Sequence, residues 1–184
     1  MKATGIVRRI DDLGRVVIPK EIRRTMRIRE GDPLEIYTDR EGEVIFKKYS
    51  PIGELTGFAA QYAETLHKIC SMAVIICDRD AVIASSGVSR KEYADKRLSE
   101  ELERIIEGRG LYLWNEGTTK LSAIEGGSHF VSCAMPIISE GDIIGCVASL
   151  SEHTDDRPHD NLGGDVESKL IMTAASFLGK QLEN

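Results

Sequence analysis

The chain has 184 residues, of which 24 are Lys or Arg and 30 are Asp or Glu, so its formal net charge at pH 7 is −6. Hydrophobic residues make up 41% of the chain and only 5 residues are Pro, which is typical of a folded globular protein and excludes a disordered tail. No apolar run is long enough for a membrane span, and no signal peptide precedes Arg8 and Arg9, so we expect a cytoplasmic protein with no membrane partner.

The positive charge is concentrated in the N-terminal part of the chain. Residues 1–50 hold 12 basic and 9 acidic residues, whereas residues 51–184 hold 12 basic and 21 acidic residues. A Pro-x-Gly sequence ends a strand-like run at the junction, which predicts a boundary there. We expect an N-terminal domain over 1–50, a linker over 51–55 and a C-terminal domain over 56–184. A basic domain joined to an acidic one is typical of proteins that bind a polyanion.

The N-terminal domain is predicted to contain short elements in the order strand, strand, helix, strand, strand. A β-branched run after a turn signal predicts a strand over 14–19, and Pro19 then favours the start of a helix. Two alternating runs, 34–38 and 44–49, flank a turn and predict a hairpin. About fifty residues of this kind bury too little apolar surface to be stable alone. We therefore predict a homodimer.

The C-terminal domain is predicted to be α+β, with an antiparallel sheet and the two terminal helices on one face. Apolar residues at a period of 3.6 predict amphipathic helices over 54–70 and 166–182. A third helix is predicted over 99–107, where Ser99 would cap its start and Gly108 would end it. Strand-like runs lie between these helices, at 73–77, 81–85, 111–114, 129–138 and 143–150.

The motifs of several enzyme classes are absent from the sequence. It contains no phosphate-binding loop, no His-Glu-x-x-His zinc motif, no Gly-x-Ser-x-Gly nucleophile motif and no Gly-x-Gly-x-x-Gly dinucleotide motif. The 4 histidines are scattered along the chain, so no nucleophile has a general base at a recognisable spacing. We therefore predict that the protein is not an enzyme and has no catalytic residues.

No metal site is predicted either. His67 and Cys70 share one helical face, but two ligands are too few to hold a metal ion. The ligand-rich stretch 153–160 lacks the carboxylate spacing of a calcium loop and is expected to be a solvated loop. Three of the 4 cysteines lie in apolar runs and are expected to be buried reduced thiols, namely Cys77, Cys133 and Cys146.

Five arginines of the N-terminal domain form a candidate nucleic-acid interface. They lie on a strand, a turn and a short helix that would converge at one end of the domain: Arg8, Arg9, Arg15, Arg23 and Arg24. Guanidinium groups form forked hydrogen bonds with phosphate oxygens and with the edge of guanine. The alternative interpretation is a solvated charged face with no partner.

Roughly residues 1–50 closely resemble the proteins of the AbrB-type transition-state regulator family. The resemblance is carried by Thr-Gly-Ile-Val-Arg-Arg-Ile-Asp-Asp-Leu-Gly-Arg-Val-Val-Ile-Pro at 4–19 and by Ile-Arg-Arg at 22–24. It implies a swapped-hairpin fold, in which two chains interlace their strands and present arginines from both copies to double-stranded DNA. It also implies relaxed sequence recognition, weighted toward backbone contacts and DNA deformability. By this resemblance Arg8, Arg15, Arg23 and Arg24 are DNA contacts, and Arg9 occupies a position that is usually basic.

The closing hairpin of the C-terminal domain resembles that of GAF sensory domains. The similar residues are Pro-Ile-Ile at 136–138 and Gly-Asp-Ile-Ile-Gly-Cys-Val-Ala-Ser-Leu at 141–150. The Asn-Lys-x-Phe-Asp-Glu signature of cyclic-nucleotide binders is absent, so no cofactor is assigned and any small-molecule ligand is unidentified. An AbrB-type domain on a GAF-like domain is similar to regulators of endospore-forming bacteria, which implies activation and repression of sporulation genes in the forespore.

These features lead to one hypothesis and two alternatives. The hypothesis is a DNA-binding transcription regulator that dimerises through its N-terminal domain and forms a tetramer through the helices at 54–70 and 166–182. Its GAF-like domain would either sense a small molecule, which shifts the helix pairing, or serve for oligomerisation alone. The alternatives are the antitoxin of an addiction module, where the swapped-hairpin domain also occurs, and a ligand sensor whose basic domain is incidental.

Overall fold

A computed structural model describes residues 5–152 and 164–183 of the chain. Its backbone contacts divide the chain into two units, Met1–Tyr49 and Ser50–Asn184. Each unit has its own sheet, of two strands in the first and five in the second. The predicted solvated loop at 153–160 lies outside the described residues.

The N-terminal unit contains one short helix and one hairpin among its described residues. Helix α1 spans Lys20–Thr25 and begins directly after Pro19. Strands β1 (Leu34–Thr38) and β2 (Val44–Lys48) pair antiparallel. The predicted helix and hairpin are therefore confirmed.

The strand predicted over 14–19 is not formed within the described chain. A strand requires ladder hydrogen bonds to a neighbouring strand, whereas the backbone bond from the Asp11 N–H to the Arg15 carbonyl closes only a turn. Val16 and Val17 are 44% and 70% exposed, so no neighbouring strand in the described chain covers the middle of this segment. The prediction is wrong for the single chain because a β-branched pattern cannot supply the neighbouring strand.

The linker predicted over 51–55 is also wrong. These residues form a 3₁₀-helix, Pro51–Leu55, that belongs to the C-terminal unit. The Ser50 hydroxyl caps it by accepting a hydrogen bond from the Gly53 N–H at 3.2 Å. Ile52 is fully buried in the core of the unit. A single buried isoleucine thus converts a Pro-Gly stretch into the first folded turn of the unit.

The C-terminal unit is a five-stranded antiparallel sheet with helices on both faces. Its strands are β3 (Ala73–Cys77), β4 (Val82–Ser86), β5 (Tyr112–Leu113), β6 (His129–Ser139) and β7 (Asp142–Glu152), in the spatial order β4-β3-β7-β6-β5. Its helices are α2 (Thr56–Cys70), α3 (Arg90–Tyr93), α4 (Glu100–Glu107) and α5 (Gly164–Gln181). The predicted α+β class and antiparallel sheet are confirmed.

Alternate residues of the strands supply two apolar cores, one on each face of the sheet. Val74 and Ile76 of β3 lie in the core that contains residues of α2 and α5. Ile75 and Cys77 of the same strand lie in the core that contains residues of α4. The two terminal helices therefore share one face of the sheet, as the sequence predicted.

Two further sequence predictions are confirmed in this unit. The Ser99 hydroxyl accepts a hydrogen bond from the Leu102 N–H at 3.1 Å and so caps α4, which ends at Gly108. All four cysteines are outside disulfides, and the three from apolar runs are buried whereas Cys70 is half-buried.

Candidate nucleic-acid interface

The first part of the candidate interface is a turn organised by Asp11. Its Oδ1 accepts hydrogen bonds from the N–H groups of Leu13 at 3.0 Å and Arg15 at 2.8 Å. Gly14 has a φ of +75°, a left-handed conformation that residues with a Cβ rarely adopt. The turn therefore reverses the chain between Arg9 and Arg15.

Arg15 is fixed to this turn at one edge of its guanidinium group. Its Nε donates a hydrogen bond to Asp11 Oδ2 at 2.8 Å, while its side chain is 68% exposed. Two hydrogen bonds from Arg15 lower the pKa of Asp11: the larger effect comes from the backbone N–H and the smaller from the guanidinium. The Nη groups of Arg15 bond no other described residue, so they are available to an anion such as a phosphate.

Arg23 and Arg24 lie side by side in the last turn of α1 but have different surroundings. Arg24 is exposed, whereas Arg23 is half-buried. The Nε of Arg23 is covered without an acceptor in the described chain. A covered N–H without an acceptor is costly, so the Nη end of Arg23 is the part that suits an external anion.

Arg8 and Arg9 lie in the exposed segment at 5–10, which has no regular secondary structure. Neither forms an ion pair with an acidic side chain within the described ranges. Arg8 and Arg9 thus precede the Asp11 turn and Arg15 follows it, whereas Arg23 and Arg24 lie on α1. No hydrogen bond or ion pair between described residues joins the two groups.

The Lys48 ammonium group is held inside the N-terminal unit. Lys48 Nζ donates a hydrogen bond to the Arg27 carbonyl at 2.8 Å. It also lies 3.4 Å from the Asp32 carboxylate, whose side chain is 3% exposed. Asp32 accepts a further hydrogen bond from the Arg29 N–H at 2.8 Å. These bonds hold the backbone of the segment after α1 to β2, and Arg27 and Arg29 in this segment are half-buried.

The role of Asp32 is not identified by the sequence analysis. The Asp32 carboxylate accepts from a backbone N–H three residues earlier in the chain, whereas the familiar Asx-turn uses an N–H two residues later. The ion pair between Asp32 and Lys48 has no local signal in the sequence, since these two residues are 16 positions apart.

The apolar side chains of the N-terminal unit are largely exposed. Val7 is 87% exposed, Ile36 is 61% exposed and Phe46 is 42% exposed. Of the described residues 5–49, Pro19 is the one that is buried. The unit therefore holds its arginines on a framework that has no apolar core of its own.

The structure offers no metal-binding cluster in the part of the chain it describes. His67 Nδ1 lies 2.9 Å from the Met72 carbonyl, so this ring is used to hold the end of α2. Within residues 5–152 and 164–183, no three side chains from His, Cys, Asp and Glu are placed to share a metal ion. Across the same residues, no helix combines the length and apolar character needed to cross a bilayer.

Two family models match the chain. Residues 54–183 match the model described as stage V sporulation protein T C-terminal, transcription factor. Residues 7–53 match the model described as antidote-toxin recognition MazE, bacterial antitoxin. The first match covers more than half of the chain.

Two relatives from Bacillus subtilis (strain 168) match the chain, one over its whole length and one over 51 residues. Stage V sporulation protein T is 52% identical over 185 residues, which cover 100% of this chain and 99% of the relative. Transition state regulatory protein AbrB is 65% identical over 51 residues, which cover 28% of this chain and 52% of the relative. The resemblance to AbrB-type regulators is therefore confirmed.

A solved structure shares the fold of the C-terminal unit. It is a methyl-accepting chemotaxis protein, residues 122 to 287, and has a TM-score of 0.52 at 18% identity. The match covers 71% of this chain and 91% of that structure. At this identity the likeness concerns the arrangement of strands and helices alone.

Proposed function

The chain belongs to the stage V sporulation protein T family, and on that basis we propose that it is a DNA-binding activator and repressor of sporulation genes. The observation that carries the proposal is the 52% identity that extends over the whole chain. The relatives are transcription factors, and we propose no catalytic activity for this chain. A regulator of this kind works on the chromosome, in the cytoplasm of the forespore.

The proposed DNA contacts are the five arginines of the N-terminal unit. Arg8, Arg9, Arg15 and Arg24 are exposed, and the half-buried Arg23 contributes its Nη end. Exposed guanidinium groups bind phosphate oxygens and release counterions from the duplex, which gives strong but sequence-tolerant binding.

The proposed DNA-binding form is a dimer of N-terminal units with interlaced strands. Val17 and Phe46 are 70% and 42% exposed, and a second copy would cover such side chains. The uncovered segment at 14–19 has the β-branched composition of a strand that lacks its neighbour. A two-fold axis would then place two sets of arginines on one face, matched to the two strands of the duplex.

The proposed role of the GAF-like C-terminal unit is to join such dimers into a tetramer. The rings of Phe58, Tyr62 and Phe177 pack together on α2 and α5 with centroids 5.9–6.3 Å apart. Phe177 is 41% exposed and Met172 on the same helix is 40% exposed. A second copy that covers this aromatic group would bury apolar surface on both sides of the contact.

Binding of an unidentified small molecule to the GAF-like unit is a second part of this proposal. It would favour one pairing of α2 and α5 over another and so alter the spacing of the DNA-binding dimers. Thermal-shift measurements on residues 51–184 with nucleotides and amino acids test it, since a ligand that binds the folded state raises its melting temperature. No shift with any compound would favour a unit that serves for oligomerisation alone.

The test of DNA binding is a salt series with the full-length protein and a fluorescent duplex. If about six to ten phosphates are neutralised per dimer, log K should fall against log salt with a slope of about −5 to −9. The double change Arg23→Ala, Arg24→Ala should weaken binding at least about 100-fold and flatten the slope, because each dimer loses four guanidinium groups.

Arg104→Ala is the matched control for the charge change. Arg104 lies on α4 in the C-terminal unit, its side chain is 71% exposed, and it is 3.5 Å from Glu100. This variant should bind DNA like the unchanged protein. Binding that is tight but insensitive to salt and to the double change would place the DNA surface elsewhere and contradict the proposed contacts.

The antitoxin function remains the second candidate, because residues 7–53 match the MazE antitoxin model. An antitoxin binds DNA as well, so DNA binding does not separate the two functions. Purification from the native host separates them, since an antitoxin would retain a small toxin protein in stoichiometric amount. The folded C-terminal unit and the full-length relative favour the regulator.

A further inference from the structure

Two of the four cysteines face each other across adjacent strands of the C-terminal sheet. The register of β3 and β7 pairs Cys77 directly with Cys146. Both side chains belong to the same core, on the face that packs against α4, and both are fully buried. The other two thiols are placed differently, since Cys133 lies in the core of the opposite face and Cys70 is on α2.

The distance between directly opposed residues suits a disulfide. In an antiparallel pair the Cα atoms of opposed residues are about 4.5–5.5 Å apart, and disulfides span Cα separations of about 4.4–6.8 Å. The Cβ atoms of such a pair are about 4.5–5.5 Å apart, slightly more than the roughly 3.5–4.5 Å of a relaxed disulfide. Bond formation would therefore draw the strands together and give a strained, easily reduced disulfide.

The two thiols already interact in the reduced protein. The Cys77 thiol donates a hydrogen bond to the Cys146 carbonyl at 3.4 Å. A hydrogen bond with the Cys146 side chain raises the pKa of Cys77 well above its ordinary value, and burial raises it further. The pair is thus a close dithiol that stays protonated at neutral pH and reacts slowly.

The backbone beside the pair permits close approach of the two strands. A Cβ on Gly145 would lie only 2.1 Å from the Cys77 carbonyl oxygen, so the absence of a side chain lets the strands meet here. Cys77 is the last residue of β3, and its pairing with β4 is shifted by an irregularity between Ile76 and Cys77. The pair therefore lies where β3 and β7 are in close contact and where the regular pairing of β3 ends.

We propose that Cys77 and Cys146 form a reversible oxidation site, a cross-strand dithiol that hydrogen peroxide converts into an intramolecular disulfide. One thiol gives up its proton, and its sulfur attacks a peroxide oxygen to become a sulfenic acid; the hydroxide that leaves takes up this proton as water. The second thiol then displaces the sulfenic hydroxyl as water, so that two thiols and one peroxide give one disulfide and two waters. Hydrogen peroxide is the oxidant of this step because its small size suits a buried pair.

The disulfide would tie together β3 and β7 at the centre of the sheet. β3 directly follows α2 in the chain and β7 precedes α5. Oxidation would therefore restrain the two strands whose neighbouring helices carry the exposed aromatic group described above.

The test uses the full-length protein with hydrogen peroxide, followed by alkylation of the remaining thiols in denaturant. Cyanogen bromide and then trypsin separate all four cysteines, because Met72 divides Cys70 from Cys77 and Met135 divides Cys133 from Cys146. We expect a fragment of residues 73–79 joined to one of residues 136–169, which dithiothreitol separates. Cys70 and Cys133 should be recovered as alkylated thiols.

Two variants make the test specific. Cys146→Ala should abolish the joined fragment and leave Cys77 alkylated, whereas Cys133→Ala, which removes a buried thiol on the opposite face, should leave the joined fragment in place. Circular dichroism shows whether each variant is folded. If Cys146→Ala does not fold, the fragments of the unchanged protein alone show whether Cys77 is joined to Cys146. Disulfides that involve Cys70 or Cys133, disulfides between chains, or sulfinic acid in place of a disulfide would overturn the proposal.

Discussion

In the C-terminal unit the central strands bury apolar residues on both faces of the sheet, whereas in the N-terminal unit the hairpin β1–β2 leaves Ile36 61% exposed and Phe46 42% exposed. The sheet of the C-terminal unit lies between two sets of helices. The N-terminal unit relies on turns and polar bonds, such as the 3.4 Å ion pair between Lys48 and Asp32.

The difference shows that the two parts of the chain differ in what they need from a second molecule. The C-terminal unit removes its strands from water within one chain, which supplies most of the free energy of folding. The N-terminal unit cannot do so, because its described residues enclose no apolar core. We therefore expect its fold and its arginine surface to depend on association, and four experiments test this comparison.

The largest effect is expected from Gly145→Ala in the C-terminal unit. The new Cβ would lie 2.1 Å from the Cys77 carbonyl oxygen, a clash with backbone that must separate β3 from β7. We expect a loss of about 3 kcal/mol or more in the free energy of unfolding, measured by urea denaturation. Gly57→Ala in α2 is the control, because nothing lies within 4 Å of its added Cβ and Ala favours helix. Equal stability of the two variants would mean that the strands do not approach closely.

A smaller loss is expected when the buried carboxylate of Glu167 is removed. This side chain is 3% exposed, and its Oε1 accepts hydrogen bonds from Ser132 at 2.6 Å and Ser149 at 2.5 Å. Glu167→Ala leaves both hydroxyls without this acceptor and should cost about 1–3 kcal/mol in urea denaturation. Glu167→Gln retains an acceptor oxygen and should cost less. An alanine variant as stable as the glutamine variant would show that these bonds do not hold α5 to the sheet.

Association of the N-terminal unit can be measured with a fragment of residues 1–49, the bounds of that unit. If folding requires a dimer, each tenfold rise in protein concentration stabilises the fragment by about 1.4 kcal/mol. In a small domain, each kcal/mol of added stability raises the melting temperature by about 4–8 °C. The melting temperature of the fragment should therefore rise by several degrees for each tenfold rise in protein concentration. Circular dichroism at several concentrations measures this shift. A melting temperature that does not depend on concentration would show that the unit folds alone and would break the comparison.

The smallest effect is expected from the Asp11 turn. Arg15 lowers the pKa of Asp11 from its ordinary value of 3.8. The contact therefore stabilises the folded state at pH values above 3.8, and this stabilisation is lost as the pH falls through the lowered pKa of Asp11. The Arg15 Nε–H signal in NMR spectra should therefore change only below about pH 4. Asp11→Asn should remove this acid transition and alter DNA affinity at neutral pH only slightly. A transition that persists in Asp11→Asn would belong to another carboxylate.

Local patterns predicted the elements that depend on near neighbours. Ser99 caps α4 and Gly108 ends it, because both act on backbone groups within a few residues. The period of 3.6 located α2 and α5, and alternation located the hairpin β1–β2. The five arginines were found from charge and from a resemblance to a known family, and the structure places four of them on the surface.

Other features had no local signal. Ile52 looked like part of a linker, yet it is buried by residues far along the chain. Asp32 and Lys48 pair across 16 positions, and Glu167 is held by serines of β6 and β7. Each of these outcomes depends on which segments meet after folding, and composition within a short window does not contain that information.

The amino-acid sequence by itself determined the class of the protein, the order of most helices and strands, and the arginines that carry its positive charge, because periodicity, capping and charge are local properties. Only the tertiary structure decided that Cys77 lies opposite Cys146, that Glu167 is buried, and that the described N-terminal unit lacks a core. These depend on strand register and on burial, which arise when distant segments exclude water from one another.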